Sequence, residues 1–185
     1  MMLRHLGTKT LETERLILRR FTVNDVDAMY AWASDPEVAG NMRYERHQNK
    51  EETKELLQMW SDTYDDPTVY NWAIELKENH DVIGSIGMVD SDEHDRKIAV
   101  GYNLRRDMWG HGYAPEALRC VIHYAIFDVG FNRVYGYYFL NNPNSCKVQQ
   151  KAGMKFEGIL RQYVYVKGEY KDVGMNAIVR SDFEN

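Results

Sequence analysis

The feature that most constrains the fold is the run at 100–129, "VGYNLRRDMWGHGYAPEALRCVIHYAIFDV". A strand-like segment ends, a turn carrying Gly110 and Gly112 follows, and an apolar helical repeat starts at once. Ala114, Ala117, Leu118, Val121, Ile122, Ala125, Ile126 and Val129 keep the i, i+3, i+4, i+7 spacing of an amphipathic helix, and Gly130 suits its left-handed end. Pro115 fits the first turn, where a missing N–H costs nothing.

The flanking segments extend that order on both sides. "ETERLILRRF" alternates as a half-buried strand does, and Thr22 with Asp25 forms a capping-box start to a helix that Pro36 interrupts. A second helix is expected over 49–64, with Leu56, Leu57, Trp60 and Tyr64 on one face. "VYNWAIEL", "DVIGSIGMV" and "IAVGYNL" read as a meander of strands, "RVYGYYFL" as a further strand and "NSCKVQQKA" as a short helix ended by Gly153. The last two runs form a hairpin across "KGE". The expectation is an α/β (α+β) chain built on one sheet, a single domain over 1–185 with its core at about 12–181.

A strand that stops before a glycine turn and a helix points several unpaired backbone N–H groups one way, at the positive end of the helix dipole. Gly110 and Gly112 let an anion approach that backbone closely, and a pyrophosphate suits such a clamp best. A Walker loop is disfavoured because no Gly-Lys-Ser/Thr follows, and a dinucleotide fingerprint fails at its third glycine, where Pro115 stands.

Net charge of −5 argues against a basic nucleic-acid face, and no apolar run has the length of a membrane span. Cys120 and Cys146 lack metal-ligand spacing and suit reduced cytoplasmic thiols; no metal is expected.

The run around "MWGHGYAPEA" resembles the acyl-CoA-binding motif of the GNAT superfamily of N-acetyltransferases, in the wording of its RimJ/RimL-like, ribosomal-protein branch. "NNPNSCKVQQKAGMKFEG" is similar to a second signature of that branch, with Met154 where Phe is usual. The resemblance implies a GNAT fold: one mixed, mostly antiparallel sheet of six to seven strands, splayed between the fourth and fifth, flanked by about four helices. It implies acetyl-CoA as co-substrate and a primary amine as acceptor, most simply a protein N-terminal α-amine. A polyamine, an aminoglycoside or a non-catalytic CoA-binding role are the alternatives, and the family leans towards a homodimer.

Carried onto this chain, the resemblance assigns the pyrophosphate to the backbone of Trp109, Gly110, His111, Gly112, Tyr113 and Ala114. Tyr102, Asn103 and Leu104 would pair with pantetheine, Arg105 (and Arg106) would add charge, and Asn142 and Lys151 would complete the cofactor contacts. Ser145 would protonate the departing thiolate; as a residue near a helix start it also suits an N-cap. Cys146 reads as a packing residue. The usual carboxylate on the fourth strand is replaced by Ala99, so Glu75 is the substitute base, with Asp90, Glu93 and His94 as weaker options. The acceptor wall would draw on Tyr44, Trp60, Tyr163, Tyr165 and Tyr170, with Glu51, Glu52 and Asp172.

Overall fold

The structure, a computed structural model, describes residues 2–184. Alternating apolar residues make β1 (Leu11–Glu12), β2 (Leu16–Arg19), β3 (Tyr70–Leu76), β4 (Val82–Asp92), β5 (Lys97–Leu104), β6 (Arg133–Phe139), β7 (Lys155–Val166) and β8 (Glu169–Val179). They form one eight-stranded sheet in the order β1-β2-β3-β4-β5-β6-β8-β7. The expected six to seven strands become eight because Leu11–Glu12 adds a two-residue edge to β2. The helices are α1 (Val26–Ala33), α2 (Pro36–Gly40), α3 (Lys50–Thr63), α4 (Tyr113–His123) and α5 (Pro143–Lys151). Pro36 does end the first helix, but Asp35 caps a new short one by accepting the Glu37 N–H.

Neighbouring strands pair antiparallel except β5 and β6, which run parallel. That parallel pair holds only from Lys97–Arg133 to Ala99–Tyr135, whereas β6 pairs with β8 along its whole length. From Val100 onward β5 therefore has a free edge. This is the expected splay, displaced by one in numbering because of β1.

Both faces of the sheet are covered. On one, Trp72, Ile74, Ile86 and Ile98 pack against Leu118, Val121, Ile122 and Ile126. On the other, Ala73 and Val82 meet Phe21, Met29 and Trp32 around α1 and Leu57 of α3. Each large side chain so buried stabilises the fold by about 1.5–3 kcal/mol. Thr22 and Asp25 form the expected capping pair, the Asp25 carboxylate accepting the Thr22 N–H at 2.8 Å.

The helix after the glycine turn departs from the sequence expectation. It is regular only to His123; Tyr124–Val129 then widens into turns in which Gly130 N–H reaches the Ala125 carbonyl. Outside groups take the displaced carbonyls: Arg180 donates to Ile126 and the Arg4 N–H to Val129. Gly130, at φ 103°, closes the segment as its sequence suggested.

Candidate active site

The splay opens onto a cleft of about 460 Å³. Its floor is the free edge of β5, one wall is the glycine turn with the start of α4, and the other is the start of α5. Val38, Asn41 and Met42, on and after α2, close its far end.

Gly110 and Gly112 both have φ +84°, a conformation glycine adopts at little cost. A Cβ built on Gly110 would meet nothing within 4 Å, so the space before that backbone is open. Gly112 is the N-cap of α4, and the first-turn N–H groups behind it carry the positive end of the helix.

Arg15 fixes this turn from the other end of the sheet. Its guanidinium donates to the His111 carbonyl at 3.0 Å and to Glu116 at 2.7 Å, and lies 4.5 Å from the Tyr113 ring centre. Glu116 also accepts Thr13 Oγ1 at 2.6 Å and the Arg15 N–H at 3.0 Å. Burial pushes the Glu116 carboxyl up, but the bonds from Thr13 and Arg15 hold it below its ordinary value. In sequence Arg15 is only a polar residue of the run "ETERLILRRF", and nothing local marks a partner that far along the chain.

Of the expected cofactor residues, the structure brings Tyr102, Asn103, Leu104, Trp109, Gly110, Gly112, Tyr113, Ala114, Asn142 and Lys151 to the cleft, together with Ser145. Lys147, one turn before Lys151, also lines it, and no expectation included it. His111 contributes its carbonyl to the turn while its exposed ring stacks at 5.9 Å on Tyr113, outside the lining.

Several backbone assignments change on inspection. Asn103 turns its carbonyl towards β4, facing Gly84, and its side-chain N–H bonds Ser85 Oγ at 3.0 Å. The Leu104 carbonyl accepts the Trp109 indole N–H at 2.9 Å. The main-chain edge open to the cleft is therefore that of Tyr102, since alternate residues of a strand point opposite ways.

The arginines are corrected outright. Arg105 is bound to Asp81 at 2.8 Å and to Asp107 at 2.7 Å, and it does not line the cleft. Arg106 is paired with Asp35 and Glu37 across to α2. Their charge is spent on carboxylates, and the cations at the cleft are Lys147 and Lys151.

Glu75 is likewise corrected. It is buried, yet it faces Arg19 and lies 2.7 Å from His80 Nδ1, and Arg19 also holds Asp25. Burial raises the Glu75 carboxyl, but Arg19 and His80 bring it below its ordinary value, so it is a committed anion away from the cleft. Ala99 is buried between Val89 and Tyr135. The turn residues have other partners: Glu93 accepts from His5 of the N-terminal segment, and His94 pairs with its neighbour Asp95.

Ser145 is not the N-cap of α5. Asn142 is, its side chain accepting the Ser145 N–H at 3.4 Å. The serine hydroxyl is thereby left to the cleft, 3.1 Å from the Tyr102 phenol. Around the expected acceptor wall, Tyr44 and Trp60 pack into the α1–α3 core instead. Tyr163, Tyr165 and Tyr170 are exposed on the β7–β8 hairpin, Tyr163 edge-on to Tyr137. Glu51 and Glu52 sit in the first turn of α3, and Asp172 accepts the Gln162 N–H.

Comparison with known proteins decides the family. Residues 15–155 match the family described as "Acetyltransferase (GNAT) domain". The chain belongs to the GNAT acetyltransferases. It is 31% identical over 170 residues, 92% of this chain and 96% of the other, to the uncharacterized N-acetyltransferase YoaA of Bacillus subtilis. Among solved structures, the ribosomal-protein-S5-alanine acetyltransferase of Vibrio fischeri superimposes with a TM-score of 0.80 at 19% identity, covering 96% of this chain and all of that one. The microcin C7 self-immunity acetyltransferase MccE, solved with acetyl-CoA and AMP, gives 0.79 at 16% identity over 90% of this chain and 93% of its own. The GNAT fold thus accounts for the splayed sheet and its cleft.

Proposed function

We propose that this GNAT enzyme moves an acetyl group from acetyl-CoA to a protein or peptide N-terminal α-amine, within the ribosomal-protein-like branch. What supports the acceptor is the likeness in fold to the ribosomal-protein-S5-alanine acetyltransferase, and the cleft that would hold the co-substrate adds no Asp, Glu or His among its described lining residues. An amine must be neutral to attack. An α-amine, at about 7.7–8.0, reaches that state near neutrality unaided, whereas a lysine or polyamine amine near 10.4 needs a base and an anionic seat.

Acetyl-CoA supplies the activated thioester. The N–H groups of the glycine turn and the first turn of α4 hold its pyrophosphate, with Lys147 and Lys151 as counter-charges. The free edge of β5 at Tyr102 orders the pantetheine arm, and Asn142 shapes the wall opposite. Ser145 gives a proton to the departing thiolate.

Residues 1–185 act as one acetyltransferase domain in the cytoplasm, supported by two free cysteines. The enzyme works as a homodimer, a reading supported by the exposed apolar residues of β7.

Calorimetric titration with acetyl-CoA, beside ADP and ATP, tests the cofactor, and an acceptor panel tests the amine. Acetyl-CoA alone should bind tightly. A peptide with a free N-terminus should be acetylated there, with a rate that rises through the acceptor's own pKa near 8 and then levels. An N-blocked peptide bearing lysine, spermidine and an aminoglycoside should turn over at least about tenfold more slowly. Preference for any of these three would overturn the acceptor assignment.

A further inference from the structure

Ser145 is tied to a chain of polar side chains that runs under α5 into the sheet. The Tyr102 phenol donates to the Ser145 carbonyl at 3.0 Å and lies 3.1 Å from its Oγ, where either oxygen can donate. Gln149, one turn further along α5, faces the same phenol. Its Oε1 accepts Asn176 Nδ2 at 2.7 Å, which leaves its own N–H groups for the phenol. Gln149 and Asn176 are buried. Gly136 makes the room, since a Cβ there would come within 3.0 Å of Gln149 Nε2.

The chain has a direction. Asn176 donates to Gln149, whose N–H groups face the Tyr102 oxygen, and the one phenol proton has both the Ser145 carbonyl and Oγ within reach; placed on Oγ, it frees the serine proton for the cleft. Aligned hydrogen bonds polarise one another in a low-dielectric setting. A serine hydroxyl alone is a weak acid, whereas a phenol, ordinarily near 10, lies much closer to a thiol, at about 8.5. Burial pushes the Tyr102 phenol up to about 12 while the bonds with Ser145 and Gln149 pull the other way, so it keeps its proton throughout the neutral range. Cys146 of α5 also faces the phenol, and Tyr138 of β6 faces Cys146 rather than Tyr102.

We propose that Tyr102 is a positioning residue for proton delivery: through Ser145 it directs a hydrogen bond, and then a proton, onto the sulfur of CoA. The inference rests on the reading of Ser145 as the donor. As the acyl C–S bond breaks, its electron pair stays on sulfur, which takes the Ser145 hydroxyl proton. Ser145 is reprotonated by Tyr102, and the phenolate, held by the Gln149 N–H, receives through water the proton that the acylated nitrogen sheds.

The test needs no acceptor. CoA with its free thiol is bound to the wild type, Tyr102→Phe, Ser145→Ala and the double variant, and thiolate absorbance is followed against pH. Calorimetry and thermal melting of each variant run alongside. In the wild type the bound thiol should ionise about tenfold more readily than in either single variant, because a directed donor favours the thiolate. The double variant should match the singles, since one chain is cut in both, and CoA affinity should change less than about threefold. If Tyr102→Phe titrates like the wild type while Ser145→Ala is shifted, the inference fails and the role of Ser145 stands. If neither variant shifts the thiol, both roles fall. A wild type that does not bind CoA removes the cofactor reading and this inference with it.

Discussion

Glu116 sits in the first turn of α4, where a carboxylate complements the helix dipole, and it also receives donors from Thr13 and Arg15. Its side chain is 12% exposed and that of Arg15 43%, so solvent weakens their pairing and leaves it worth about 1 kcal/mol. Glu116→Gln should lower Tm by about 2–4 °C and weaken acetyl-CoA binding about threefold to tenfold, because the turn loses its anchor. The pH dependence has a definite sign. The Glu116 carboxyl is held below its ordinary 4.5, so its contribution is complete above that value and lost as pH falls through the lowered one. Melting curves and calorimetry on both proteins at neutral and acidic pH check the expectation; a variant that binds like the wild type would show that the turn holds its own shape. Glu75 follows a similar logic. Its partner Arg19 also holds Asp25, and the guanidinium is raised by those bonds, so the three groups form a structural cluster.

At the scale of elements, the free edge of β5 makes a sharp contrast between neighbours. Asn103 turns its backbone to β4, whereas Tyr102 faces the gap. Hydrogen exchange should therefore find the Tyr102 amide fast in the free enzyme and slowed at least about tenfold by acetyl-CoA, with Asn103 slow throughout. Equal protection of the two amides in the free enzyme would mean that the edge is closed. The glycine turn, the meander and the apolar stripe of α4 were legible in the sequence because each is a local pattern of period or of turn residue. Of the expected site, the glycine turn and the α5 residues Ser145 and Lys151, with the N-cap Asn142, do reach the cleft, because each belongs to a local run. Arg105 and Glu75 were misjudged, and Arg15 was given no role, because a charged side chain's role depends on which partner the fold delivers. Asp81 comes from the β3–β4 turn, Arg19 from β2 and Glu116 from α4. Tyr44 and Trp60 were misplaced for a related reason: an aromatic suits a core and a cleft wall equally well until packing decides.

In the whole molecule, β7 is the outer strand of the sheet, and it exposes Phe156, Ile159, Leu160, Tyr163 and Tyr165. Edge strands left bare in this way invite pairing with another chain. Sedimentation should therefore report two chains for the wild type and one for an Ile159→Lys, Tyr165→Lys double variant, with acetyl-CoA affinity unchanged because neither residue lines the cleft. A single-chain wild type would end the dimer reading. The sheet's own joint has a different consequence. Strands β1 to β5 and strands β6 to β8 are laced together by only three residue pairs, Lys97–Arg133, Ile98–Val134 and Ala99–Tyr135. Beyond that short seam the ladder has no rungs, and on the proposed function these would be supplied by the co-substrate's amides, which address main-chain atoms that every residue type carries. A binding surface written in backbone can let its side chains drift, so descendants of such a chain could change acceptors many times while keeping one donor.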